Sequence, residues 1–211
     1  MRLVKYRHSC LLAEEGSARV LLDPGGFSQG FEGLSGLTAV LFTHQHADHF
    51  DLEKLHPLLR ANPDAEVVAD EGTAAKLEQA GVESRVVGDG DVFELAGVEV
   101  RVAGSQHAVV HPELPVIPNV GYLIGGRFFH PGDALTVPDQ PVEILGVPTG
   151  APWLKASEAV EYMRAVKPRT AVPIHEAILA KTGIYYGLLE RFAEKDSIEL
   201  RNLDDGRPVE L

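Results

Sequence analysis

Residues 43–49 read Thr43-His44-Gln45-His46-Ala47-Asp48-His49, which sets three imidazoles and a carboxylate in one short loop. Neutral imidazole and carboxylate are ligands for zinc, and also for manganese or iron. The i, i+2 spacing of His44 and His46 lets both rings reach one ion from an extended segment, while Asp48 and His49 continue the loop and are placed to serve a second ion. A polar loop that happens to be histidine-rich is the plain alternative, and the preceding residues argue against it. Thr38-Ala39-Val40-Leu41-Phe42 is β-branched and apolar, so it reads as a buried strand delivering the loop at its C-terminal end.

Three further groups follow strand-like runs, where loops gather at one end of a sheet and sites are commonly built. His107 comes after Val98 to Ala103, Asp133 after Arg127 to His130 through Pro131-Gly132, and His175 directly after Thr170 to Ile174. A lone histidine at a strand end is more commonly a hydrogen-bonded structural residue, but shared placement beside the cluster reverses that balance. Asp133 offers two oxygens to two ions, so the set fits a dinuclear site with a bridging carboxylate. Two ions about 3.5 to 4 Å apart can share a hydroxide, bring the pKa of its parent water towards neutrality and polarise the bond under attack. Asp48 or Asp133 would accept the proton, and no serine or cysteine nucleophile is needed.

The elements that must position these residues follow from pattern. Leu3 to Tyr6, Ser9 to Ala13 and Ala18 to Asp23 read as a strand meander, with Glu14-Glu15-Gly16-Ser17 as a turn. Leu52, Leu55, Leu58 and Leu59 fall at helical spacing over 51–61, with Asp51 suited to the N-terminal end. A strand at 65–69 and a helix at 73–80 closed by Gly81 follow. Strands are expected over 92–95, 98–103, 120–124 and 127–130, the last two joined by Gly125-Gly126, then over 142–147 and 170–174. Ala159, Val160, Met163 and Val166 mark a helix stopped by Pro168, and Leu188, Leu189 and Phe192 belong to a closing helix. Meanders in both halves, interspersed with helices, suggest an α/β protein with two sheets face to face and helices outside each, a four-layer αββα sandwich. Periodicity alone does not select this arrangement over another α/β fold.

The 211 residues are 45% hydrophobic without a compositional break, so one domain over 1–211 is expected. The formal charge of -12 opposes long-range attraction to nucleic acid or an anionic membrane. Cys10 is the one cysteine, which rules out an intrachain disulfide and a thiolate-rich zinc site; it reads as a small buried hydrophobe in a strand. Neither a secretory signal nor an apolar run of about 18 residues is evident, so a cytoplasmic protein acting on a small molecule is the expectation. Oligomeric state is not readable.

The order T-H-Q-H-A-D-H, strand-end His107, Gly132-Asp133, late His175 resembles the metallo-β-lactamase superfamily over nearly the whole chain. More narrowly, Tyr6-Arg7-His8-Ser9, Leu21-Leu22-Asp23-Pro24, Phe129-His130-Pro131-Gly132-Asp133 and Val172-Pro173-Ile174-His175 look like the metal-dependent hydrolases that include the L-ascorbate 6-phosphate lactonases. The resemblance implies His44, His46 and His107 on one ion, Asp48, His49 and His175 on another, and Asp133 bridging. It also implies two divalent ions, zinc first, with manganese frequent in the lactonase branch. One departure stands out. Relatives commonly read H-A-G-D-T where this chain has His130-Pro131-Gly132-Asp133-Ala134, so the hydroxyl after Asp133 is missing and its support is expected to differ.

Asp23 resembles an aspartate behind the histidine loop that orients it without ligating; opening the Asp-Pro-Gly turn is its simpler role. His8 and His130 match histidines near the site, either supporting ligands or facing substrate, with a satisfied structural histidine as the alternative. His111 lies on the mouth loop beyond His107, where it would donate a proton or contact substrate. Trp153, before a helix, would form a pocket wall with Lys155, although core packing is the role its surroundings favour. Hydrolysis of a small ester, lactone or phosphate-containing metabolite is the leading reading. A phosphodiesterase or nuclease would usually carry basic surfaces and an inserted domain, neither of which is evident here, and a di-iron oxygen reductase would commonly carry Glu at the place of His46. A metal-binding module without turnover would have lost ligands that are intact here.

Overall fold

Apolar residues fill consecutive positions of the central strands, as in Val40-Leu41-Phe42 and Ile144-Leu145, because these strands are covered on both faces. The computed structural model describes residues 1–203 and 206–211. In the first sheet, β1 (Arg2–Lys5), β2 (Leu11–Glu15) and β3 (Ala18–Leu22) form an antiparallel meander, and β4 (Ala39–Phe42), β5 (Glu66–Ala69) and β6 (Arg85–Val86) extend it in parallel from β3. In the second, β7 (Val92–Leu95), β8 (Val98–Ala103), β9 (Gly121–Ile124) and β10 (Phe128–His130) are antiparallel, and β11 (Ile144–Pro148), β12 (Thr170–Ile174) and β13 (Glu199–Leu200) continue in parallel from β10. The last strand, β14 (Val209–Glu210), returns to β1.

Three apolar cores separate four layers. Leu11, Val20, Leu41, Tyr122, Phe128 and Ile174 pack between the sheets. Val40, Phe42, Leu55, Leu58 and Leu77 bury the outer face of the first sheet under α1 (Leu52–Ala61) and α2 (Glu71–Gln79). Leu145, Val147, Met163 and Leu189 do the same for the second under α3 (Ala156–Val166) and α4 (Thr182–Lys195). Each fully buried Leu or Phe contributes about 1.5–3 kcal/mol relative to exposure. The arrangement is the αββα sandwich that the strand pattern suggests.

Element boundaries differ from expectation where polar chemistry sets them. α2 begins at Glu71, ahead of Thr73, because the Asp70 carboxylate accepts hydrogen bonds from the Gly72 and Thr73 amides. Glu14 and Glu15 belong to β2, paired with Arg19 and Ala18, and so are not part of the turn. Cys10 is buried but precedes β2, its amide donating to the Arg7 carbonyl. β6, β13 and β14 hold two residues each, too few to display a period. Parallel strands β3–β5 and β10–β12 all deliver their C-terminal ends to one edge of the sandwich, where ligand sites of open α/β sheets lie. No helix among the described residues is long and apolar enough to cross a membrane.

Candidate metal centre

Four strand ends and one turn bring the histidines together. The loop after β4 carries His44, His46, Asp48 and His49, the loops after β8, β10 and β12 carry His107, Asp133 and His175, and the turn after β1 carries His8. The ligand atoms fall into two groups, each with its members within 4.8 Å of one another: His44, His46, His107 and Asp133 in one, His8, Asp48, His49 and His175 in the other. Asp133 links them, with Oδ2 3.4 Å from His107 Nε2 and 3.0 Å from His175 Nε2, and Oδ1 3.1 Å from His49 Nε2.

Second partners set each ring's tautomer. His49 Nδ1 donates to Asp23 at 2.7 Å, His175 Nδ1 to the Gly150 carbonyl at 2.6 Å and His107 Nδ1 to the Ala108 carbonyl at 2.5 Å. Their Nε2 lone pairs are thereby left for the centre. Asp23 is fully buried and also accepts from the Thr43 amide at 2.8 Å and the Thr43 hydroxyl at 2.7 Å, so it lies behind the loop and holds both its first residue and His49. Thr43 Oγ1 in turn lies 3.0 Å from His44 Nδ1. The loop approaches so closely that a Cβ on Gly25 would sit 1.9 Å from the Asp48 carbonyl oxygen. Gly132, at φ 63°, leaves no space for a side chain either, since a Cβ there would lie 2.4 Å from Asn119 Oδ1.

Whether this centre suits a cation is decided by its unpaired atoms. Nε2 of His49, His107 and His175 and Oδ1 of Asp133 are buried without a hydrogen bond; their contacts with each other have ion-pair distances but not hydrogen-bond alignment. Buried polar atoms are nearly always paired, and four orphans converging on one space are what divalent ions would satisfy. The donor set of imidazoles and carboxylates fits zinc, manganese or iron.

Charge inside the centre is strongly coupled. Burial would raise the Asp133 carboxyl, yet facing His49 and His175 holds it well below the usual carboxylate range. Asp48 is likewise low, burial being outweighed by the facing His175 and by the hydrogen bond from His8. Burial opposes charge on His175, but Asp133 and Asp48 lift it to about 9, and Asp133 and Asp23 raise His49 against the same opposition. A proton and a metal ion compete for these lone pairs, so ligation would release protons. Burial lowers His44 and His46.

Residues 2–175 match the Beta-lactamase superfamily domain. The chain belongs to the beta-lactamase superfamily. Within it, a Mycobacterium tuberculosis protein, Rv0786c, is 53% identical over 203 residues, covering 93% of this chain and 94% of its own. A Thermoplasma acidophilum protein named UPF0173 metal-dependent hydrolase is 28% identical over 64% of both chains. The structure of a metallo hydrolase, Igni18, from Ignicoccus hospitalis superposes with a TM-score of 0.77 at 18% identity, covering 99% of this chain and 97% of that one. The αββα sandwich is the fold that this chain shares with the Igni18 structure.

Among the other residues singled out from sequence, His8 enters the centre. Its ring is fully buried, its Nε2 lies 3.1 Å from Asp48 Oδ2, and its Nδ1 accepts from the Ala177 amide at 3.3 Å. The Nε2 proton therefore faces Asp48, which makes His8 a donor that steadies the carboxylate; burial pulls this imidazole down to about 4 in spite of Asp48. His8 and His175 both have left-handed backbones, at φ 46° and 61°, and a bond from the His175 amide to the His8 carbonyl joins them at 3.2 Å. Strain of this kind persists where surrounding structure over-determines it. His130 is buried with both nitrogens taken by backbone, Nε2 donating to Ser9 and Nδ1 accepting from Gly132, so it braces the Gly132-Asp133 turn and does not face substrate. His111 is exposed, caps the Glu113 amide and belongs to neither group.

Trp153 corrects the core-packing expectation. It is half-buried, and its indole N–H donates to Asp133 Oδ2 at 3.0 Å, with the ring 5.9 Å from that of His107 and 6.4 Å from that of His175. Lys155 instead points to solvent and pairs with Glu158. With Ala134 after Asp133, support comes from Trp153 and from Asn119, whose Oδ1 accepts the Asp133 amide at 2.9 Å. Sequence reasoning missed Asn119, and also Lys5 and Glu176. The Lys5 ammonium is buried 2.7 Å from Glu176 Oε1, which also accepts the His8 amide at 3.1 Å. A lysine flanked by Val4 and Tyr6 in a buried strand was the available signal.

Proposed function

We propose that this chain is a metal-dependent hydrolase that uses two divalent ions, zinc before manganese or iron, on a small ester or lactone. The four buried unpaired atoms at the junction of the two groups carry this reading, and the name of the Thermoplasma relative supports it. His44, His46 and His107 would hold one ion, Asp48, His49 and His175 the other, with Asp133 between them. Bound there, the ions would supply Lewis acidity and bring the pKa of water towards neutrality.

The chain's own groups supply the rest. The Asp133 side chain is only 4% exposed, so Asp48, whose side chain is 20% exposed, is the carboxylate placed to take a proton from water. Trp153 limits entry of solvent beside His107 and His175. In the reaction, water's oxygen joins the acyl carbon, the acyl C–O bond breaks, and the proton taken up by Asp48 passes to the leaving alcohol oxygen. The lactone preference rests on the resemblance of the blocks around His8, Asp23 and His175 to the L-ascorbate 6-phosphate lactonase branch.

The test is elemental analysis of protein purified without chelator, followed by an ester, lactone and phosphodiester panel with the identified metal. About two ions per chain and ester or lactone turnover abolished by metal removal or by His46→Ala are expected. Full activity in stripped protein or in His46→Ala would overturn the proposal.

A further inference from the structure

Several of the large apolar side chains left in water lie in the loops that follow β3, β8, β10 and β12. Phe27 is 50% exposed, Val109 56% and Ile178 48%, and Val110, Leu114, Val116 and Val137 are exposed with them. Three of these segments converge. The Phe27 ring is 5.3 Å from that of His8; Val109 follows Ala108, whose amide donates to the Asp133 carbonyl at 2.8 Å; Ile178 follows Ala177, whose amide donates to His8 Nδ1. One residue spans about 3.8 Å between Cα atoms, so these three exposed residues lie close around the histidine centre. Contiguous exposed apolar surface marks binding sites.

The electrostatics point the same way. Among the described residues, every ion-pair partner of Asp23, Asp48 and Asp133 is a histidine, and Lys5, which reaches the β12 end, is buried and held by Glu176 and the Pro173 carbonyl. Lys54, beside Phe27, and Lys76, beside the His44–His46 loop, are likewise spent on backbone carbonyls, those of Gly25, Gly26 and Ser28 and that of Gln45; a phosphate-bearing substrate would want a lysine or arginine fork, whereas Phe27, Val109 and Ile178 offer methyl groups and a phenyl ring.

We infer that the substrate is an uncharged ester or lactone with an apolar acyl or alkyl chain, which lies on the rim of Phe27, Val109 and Ile178 while its carbonyl sits at the centre beside Trp153. This rests on the hydrolase reading above. Val109 and Ile178 belong to the loops that carry His107 and His175, and the Phe27 ring stands against His8, so a molecule approaching the centre from this side meets them. Each methylene that the rim covers strengthens binding by up to about fourfold, so selectivity should grow with chain length.

The first experiment compares p-nitrophenyl acetate, butyrate, hexanoate and octanoate with the zinc- or manganese-loaded full chain. A kcat/KM rising roughly two- to fourfold per buried methylene, carried by KM, is expected, with the octanoate-to-acetate ratio reduced in Val109→Ser/Ile178→Ser. The second uses metal-free protein and the one tryptophan of the chain, Trp153. Octanamide should change its fluorescence at far lower concentration than acetamide, and less so in the double variant. Octanamide binding without hydrolysis of any ester would retain the apolar rim and remove the hydrolase reading. A flat ester series with no octanamide response, or preference for a phosphorylated lactone, would overturn the rim proposal. So would sedimentation showing a dimer that the double variant dissociates, since the rim would then face a second copy.

Discussion

Strands β10, β11 and β12 carry two charge clusters, one at each end. At their N-terminal ends Arg127, Glu143 and Arg169 form a surface clamp, with Arg127 Nε 2.6 Å and Arg169 Nη2 2.9 Å from the Glu143 carboxylate, each charge hydrogen-bonded. At the C-terminal ends Asp133 and His175 are buried, and Asp133 Oδ1 and His175 Nε2 lack a hydrogen bond. Surface pairs are worth about 0–1 kcal/mol, whereas unpaired buried groups cost more than that and persist where something else is to be bound. The clamp ties strands together; the other end spends stability on a centre.

The same contrast recurs inside the centre. Asp133 touches both groups, so Asp133→Asn should have the largest effect. Loss of turnover beyond the roughly 100-fold typical of residues that merely support a ligand is expected, with bound metal falling at both positions by elemental analysis. Activity within that range would mean that Asp133 is a support and not the link. Asp23 comes next: Asp23→Ala strands the Thr43 amide, the Thr43 hydroxyl and His49 Nδ1. A loss of about 3–5 kcal/mol in urea unfolding is expected for breaking such a buried charged network; a loss under about 1 kcal/mol would put Asp23 in the class of the surface clamp.

His8 separates the two groups. The first offers three imidazoles, while in the second His8 turns an N–H to Asp48, leaving two imidazoles and the Asp48 carboxylate, and Asp133 faces both. His8→Leu should weaken the second ion about 10- to 100-fold in calorimetric titration and spare the first, and His8→Gln, whose amide can donate to Asp48, should recover part of the loss. Equal weakening of both ions would show that His8 acts through the fold.

The loop of residues 44–49 could be read from sequence because its ligands are contiguous, and His107, Asp133 and His175 because each ends a strand of clear pattern. The supports could not. Lys5 and Glu176 meet across 171 positions and His8 and Ala177 across 169, and nothing local announces such a partner. Trp153 stands between two readings in the sequence, because a bulky aromatic before a helix ordinarily packs inward; its place at the site shows only once its N–H finds Asp133. The layers were legible from alternating meanders and amphipathic helices; β6, β13 and β14 were not, since pairs of residues fixed by a neighbouring strand have no period of their own.

The smallest effect belongs to the clamp, and it calibrates the others. Hydrogen bonds from Arg127, then Arg169, hold the Glu143 carboxyl at about 2, below its ordinary value of 4.5. A depressed folded-state value stabilises the fold above the unfolded value, and that share declines as pH falls from about 4.5 towards 2. Because the Glu143 side chain is partly exposed, screening keeps the share small. Glu143→Gln should thus lower stability at pH 7 by no more than about 1 kcal/mol, less at pH 4, with metal content unaltered, as read by urea unfolding at both values. A larger or pH-independent loss would mean that the clamp, too, carries stress transmitted along β10–β12 from the centre, and the two ends would have to be treated as one system.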